Sequence, residues 1–137
     1  MANTTFAVLP FIVSSIVYYA IGALWYTPLF GKAWAKELGI SMSGGTDSDK
    51  GKFVLGMIGQ LVSAFLYVAG VYMLLMLGNF YSLGGALTVG ASVSAFFVLS
   101  VNSGKLLFQR KPKLFFIDAG YGVVGAFAAA LILAFWR

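Results

Sequence analysis

Four long apolar runs, each the length of a bilayer-crossing helix, decide most of what this chain can fold into. They extend over residues 6–26, 53–77, 83–104 and 114–136, with Lys and Arg confined to their edges and one acidic residue, Asp118, inside the fourth. A helix needs about 20 apolar residues to cross the hydrocarbon core of a membrane. In that phase every backbone N–H and C=O must be satisfied within the protein, which leaves only helices or closed barrels. The runs are too long and too uniformly apolar for the alternating strands of a barrel. The fold class they imply is an all-α membrane protein, a bundle of four transmembrane helices forming one domain over residues 1–137.

Composition closes off the alternatives. Only 9% of the 137 residues are charged, against roughly a quarter in a soluble domain, so a water-soluble globule could not cover its surface. With no His and no Cys, His-based triads, thiol nucleophiles, zinc–thiolate sites and disulfides are all excluded. Asp118 with Lys105 is the one acid–base pair worth naming, and paired charges near an interface are more often structural. The expectation is therefore no enzyme, no cofactor and no metal. The net charge of +5 comes from four Lys/Arg between residues 32 and 52, four between 105 and 113, and Arg137. Short basic clusters between long apolar runs are membrane flanks, so no nucleic-acid partner is expected; the partner is the lipid bilayer.

Those clusters also orient the chain. The connections between runs one and two and between runs three and four are basic, whereas residues 78–82 and the N-terminal residues carry no Lys or Arg. The positive-inside rule places both basic loops in the cytoplasm and both termini outside. No Lys or Arg precedes the first run, which is longer than a signal-peptide core, so it is expected to remain as a span. Pro10 falls in its first turns, where the missing N–H costs little.

The first basic loop carries its own pattern. Thr27 and Pro28 read as an N-cap and a first-turn proline, and Gly39 as the terminator of a helix over residues 28–38. Phe30, Trp34 and Leu38 fall on one side and Lys32 and Lys36 on the other, the pattern of an amphipathic helix lying in the interface, with Trp25 and Tyr26 as aromatic anchors. Residues 39–52 read as a flexible loop. Within the spans, Gly56, Gly59 and Ser63, then Gly90 with Ser94, Gly122 with Ala126 and Gly125 with Ala129 place small residues one turn apart. That spacing suits close helix seams, within the chain or between copies in a homo-oligomer.

Polar residues inside a membrane span are the first place to look for function. Asp118 has two readings. One makes it an anchor near a helix N-terminus, favoured by the macrodipole and paired with Arg110, Lys111 or Lys113. The other groups it with Gln60, Asn102, Ser103, Lys105 and Tyr121 around a cytoplasm-facing cavity for a lipid headgroup, a proton or a small polar solute. Beyond Tyr121 the fourth run has no polar side chain before Trp136, and a hydrated channel needs a file of such groups.

The run Gly22-Ala23-Leu24-Trp25-Tyr26-Thr27-Pro28-Leu29-Phe30-Gly31-Lys32-Ala33-Trp34 resembles the signature of a small bacterial membrane family, domain-of-unknown-function family 1761. Ile117-Asp118-Ala119-Gly120-Tyr121 is similar to the start of that family's last helix. The resemblance covers nearly the whole chain and implies a four-span fold in a bacterial inner membrane, with Trp25, Tyr26, Pro28, Gly31, Lys32 and Trp34 in its motif. It brings no catalytic residue, cofactor or substrate. The functional expectation is a non-enzymatic protein binding a lipid, small ligand or protein partner at the polar cluster. The alternatives are a small oligomeric transporter or proton-coupled permease, or a structural or assembly subunit.

Overall fold

The computed structural model describes residues 6–39 and 47–136. Helix α1 (Val8–Leu24) continues through a π-helical turn (Trp25–Leu29), and a short α2 (Gly31–Leu38) follows. The long α3 is Asp47–Gly78. The third span is built of α4 (Leu83–Val93), a π-helical segment (Ser94–Leu99) and α5 (Ser100–Leu107), and α6 (Pro112–Phe135) ends the bundle. Four of these units, Val8–Leu29, Val54–Gly78, Leu83–Leu107 and Pro112–Phe135, are long and apolar enough to cross a membrane. No strand occurs among the described residues.

Two boundaries differ from the sequence reading. Residues 28–38 do not form one helix started by Thr27: Pro28 lies inside the π-turn and α2 begins at Gly31. Pro28 has no N–H to offer Leu24 and would crowd its carbonyl in a regular helix. The chain widens instead, so that Phe30 N–H donates to the Trp25 carbonyl five residues back, at 2.8 Å. The loop assigned to 39–52 is also shorter, because α3 starts at Asp47. Residues 40–46 lie outside the described part.

The turn between α3 and α4 is closed by local chemistry. Asn79 takes a left-handed φ of 53°. Phe80 N–H then reaches Leu75 O at 3.0 Å and Asn79 N–H reaches Met76 O at 3.2 Å, the paired bonds that end a helix when one residue turns left-handed. Ser82 then caps α4, its hydroxyl accepting from Gly85 N–H at 3.0 Å.

Helix α6 sits at the centre of the packing. It touches α1, α3 and the whole third span, and buries Gly122, Gly125, Ala126, Ala129, Ala130 and Leu133. The seams are not backbone against backbone, as the small-residue spacing predicts, but glycine sockets holding side chains from the next helix. A methyl on Gly120 would stand 2.9 Å from the Trp25 ring, one on Gly22 2.8 Å from the Tyr121 hydroxyl, and one on Gly122 2.7 Å from Val98. Gly90 holds Phe127 in the same way and Gly125 holds Tyr18. Gly56 and Gly59 differ. A methyl at either would meet nothing within 4 Å, and Ser63 beside them is exposed, so this face of α3 makes no seam within the chain.

Candidate functional site

The two basic loops lie at one end of the bundle, and the polar residues of the spans gather there. Asp118 stands six residues into α6, about 9 Å along the axis from Pro112 at 1.5 Å per residue. That is beyond the first turn, where the macrodipole acts, and none of Arg110, Lys111 or Lys113 is its partner. The partner is Lys105, whose ammonium lies 2.5 Å from Asp118 Oδ2. The Lys105 side chain is 28% exposed and that of Asp118 15%. Lys111 instead donates to the Glu37 carbonyl at 2.6 Å, tying the second basic loop to α2.

Each atom of the pair is placed by a second contact. Tyr26 O–H donates to Asp118 Oδ1 at 2.5 Å. Lys105 Nζ also donates to Asn102 Oδ1 at 2.6 Å. Asn102 is itself oriented, because its Nδ2 donates to the Val98 carbonyl at 2.8 Å and so turns Oδ1 towards Lys105. The network joins α1, the third span and α6 through side chains whose polar atoms are matched in charge and donor sense.

The π-helical segments set this geometry. Trp25 and Tyr26 are neighbours in the π-turn yet both face α6. The Trp25 indole donates to the Ile117 carbonyl at 2.8 Å, and Tyr26 reaches the adjacent Asp118. The second π-segment ends just before Asn102 and Lys105. Such turns are rare and recur at functional sites.

Behind the pair, aromatic rings lead into the core. Tyr26 meets Tyr121 edge-on at 5.5 Å between centroids, Tyr121 meets Tyr18 at 4.9 Å, and Tyr18 stacks on Tyr67 at 4.6 Å. The Tyr121 hydroxyl donates to the Tyr18 carbonyl at 3.3 Å and Tyr67 to the Gly122 carbonyl at 3.0 Å. Gln60 reaches the same Tyr121 hydroxyl from α3. Of the residues expected at the site, Asp118, Lys105 and Asn102 are in direct contact, and Tyr121 and Gln60 adjoin them one layer deeper. Ser103 is separate, its hydroxyl spent on the Ser100 carbonyl at 2.6 Å.

The motif residues surround this cluster. Trp34 packs edge-on against Tyr26 at 5.3 Å, and Trp25 lies against Phe30 at 4.8 Å. Gly31 is the buried first residue of α2, while Pro28 and Lys32 are exposed. Tyr26, read from the sequence as an interfacial anchor, is the residue whose site contact was missed. The widened turn that aims it carries no sequence signal beyond Pro28.

Four apolar helices, with a charged cluster at the basic end that is the one ion pair among the described residues, define a small multi-span membrane protein. The chain belongs to the protein-of-unknown-function family DUF1761, whose model matches residues 9–134. No curated protein and no solved structure matches it.

Proposed function

We propose that this is a non-enzymatic protein of the bacterial inner membrane, with both termini outside, that binds a ligand carrying an anionic group at the cytoplasmic cluster of Lys105, Asp118, Tyr26 and Asn102. The observation that carries the reading is the Lys105–Asp118 pair, held at the end of otherwise apolar helices among unpaired cations. An ammonium has three N–H donors. Two of those of Lys105 go to Asp118 and Asn102, leaving the third for an incoming oxygen. Lys32, Lys36, Arg110 and Lys113 are exposed at the same end and have no protein partner among the described residues. Asp118 holds Lys105 in position and, as a like charge to the ligand, keeps binding weak and reversible. Binding is better supported than passage through the bundle, since Tyr121 and Tyr67 donate their hydroxyl protons to backbone carbonyls as fasteners.

The test turns on a sign. Purified protein is titrated with glycerol 1-phosphate while its intrinsic tryptophan fluorescence is followed, Trp25 and Trp34 lying beside the cluster. Asp118→Asn keeps a carbonyl oxygen for the Lys105 ammonium and turns an N–H₂ donor to the Tyr26 hydroxyl, so the cluster stays hydrogen-bonded but loses the competing charge, and affinity rises about fivefold, the effect of about 1 kcal/mol between unit charges near water. Removing both charges in Lys105→Gln/Asp118→Asn takes that gain away and weakens binding below wild type. Equal affinity in all three proteins would remove the cluster from the function.

A further inference from the structure

The cluster has an apolar continuation. Helix α3 packs on α1, α6 and α4, but contacts the cytoplasmic half of the third span at most marginally among the described residues. Every residue from Val54 to Ser63 is exposed, as are Phe96, Phe97 and Val101 on the third span. The two spans therefore meet near their hairpin turn and diverge towards the basic end, leaving a cleft open sideways to the bilayer. At its closed end is a groove of about 400 Å³ lined by Tyr67, Gly70, Leu74 and Leu77 of α3 and by Val93 and Phe97. That volume lies within the usual range of small-ligand sites, about 300–1,000 Å³. Gly70 forms part of its wall, and a methyl there would meet nothing within 4 Å.

We propose that the cleft holds one anionic phospholipid of the cytoplasmic leaflet, its phosphate at Lys105 and the end of an acyl chain entering the groove between Phe97 and Tyr67. The headgroup half of this assignment rests on the ligand reading above. Two further observations select the occupant. Phe97 stands about 12 Å along the third span from Lys105, close to the depth of one leaflet, about 15 Å of a 30 Å core. An acyl chain of that leaflet thus reaches the near end of the groove, at Phe97 and Tyr67. The end of the bundle on which the cleft opens is also positive: Lys52 is exposed near the start of α3, and Arg110 and Lys113 are exposed beside the start of α6. This complements a phosphate whose headgroup carries no compensating amine.

The proposal is tested in nanodiscs of equal phosphatidylcholine and phosphatidylglycerol, by native mass spectrometry of the released protein. Wild type retains one phosphatidylglycerol in preference to phosphatidylcholine. Gly70→Trp, which fills the groove, lowers that retained fraction at least fivefold and leaves glycerol 1-phosphate affinity unchanged. Leu74→Trp fills the same groove from an exposed position and serves if Gly70→Trp does not fold. Undiminished phosphatidylglycerol in a folded groove-filled variant, or a preference for phosphatidylcholine in wild type, overturns the cleft assignment. The first of these outcomes leaves the headgroup reading standing if Lys105→Gln/Asp118→Asn still weakens glycerol 1-phosphate binding.

Discussion

Tyr26 and Lys105 divide one carboxylate between them: the phenol holds Asp118 Oδ1 and the ammonium Oδ2, each at 2.5 Å. A π-turn delivers the first and a helix ending in the opposite basic loop delivers the second, so the carboxylate fastens three spans where both loops begin.

The two charges are not equivalent to remove. Asp118→Asn leaves a neutral partner whose carbonyl oxygen accepts from Lys105 while its N–H₂ donates to the Tyr26 hydroxyl, and exchanges charge-assisted bonds for ordinary ones at a cost of about 1–2 kcal/mol. Lys105→Gln leaves a carboxylate without its cation in an apolar surround and costs more, about 3–5 kcal/mol. Thermal unfolding in one detergent should rank them wild type, Asp118→Asn, Lys105→Gln, with the double variant more stable than Lys105→Gln alone.

The glycine sockets predict a sharp contrast among chemically identical substitutions. Gly120→Ala and Gly122→Ala must displace Trp25 or Val98, and overpacking of this kind costs about 1–3 kcal/mol. Gly56→Ala and Gly59→Ala meet nothing and should match wild type, or gain slightly from better helix propensity. Melting temperatures of the four variants decide it.

Helix α2 is held to the second basic loop by Lys111 on the Glu37 carbonyl. Lys111→Met should release it, read as faster amide exchange over residues 31–38 with exchange in the core of α6 unchanged. Equal protection of α2 in both proteins would show that its aromatic contacts suffice.

Orientation can be mapped against a background free of native cysteine. In intact cells, a membrane-impermeant maleimide should modify Leu83→Cys, at the exposed start of α4. It should spare Lys36→Cys and Arg110→Cys until the membrane is opened. The opposite pattern would invert the assignment of the cytoplasmic end.

Much of this molecule is legible in its residues, and the limits follow from physics. Four spans can be read because a bilayer demands some twenty apolar residues per crossing, a requirement that tertiary packing does not blur. Pro28 shows where local reading stops. A proline at the start of a new helix and a proline absorbed by a π-turn leave the same sequence trace, yet only the second aims Tyr26 at Asp118. The partner of Asp118 was likewise a choice among nearby cations, and helix rotation decides it for Lys105 over the three basic residues of the adjoining loop. Small-residue spacing marks a face that can be approached closely, but Tyr18, Trp25, Val98 and Phe127 as the filling groups become visible only once the helices are packed.

The most direct test of the account asks which lipid leaves the membrane with the protein when the charges of the cluster are altered. Native mass spectrometry from mixed phosphatidylcholine and phosphatidylglycerol nanodiscs should show one retained phosphatidylglycerol on wild type. Asp118→Asn should retain more of it, and Lys105→Gln/Asp118→Asn little or none. Retention that is the same in all three proteins would contradict the account and leave Lys105 and Asp118 as a structural fastening.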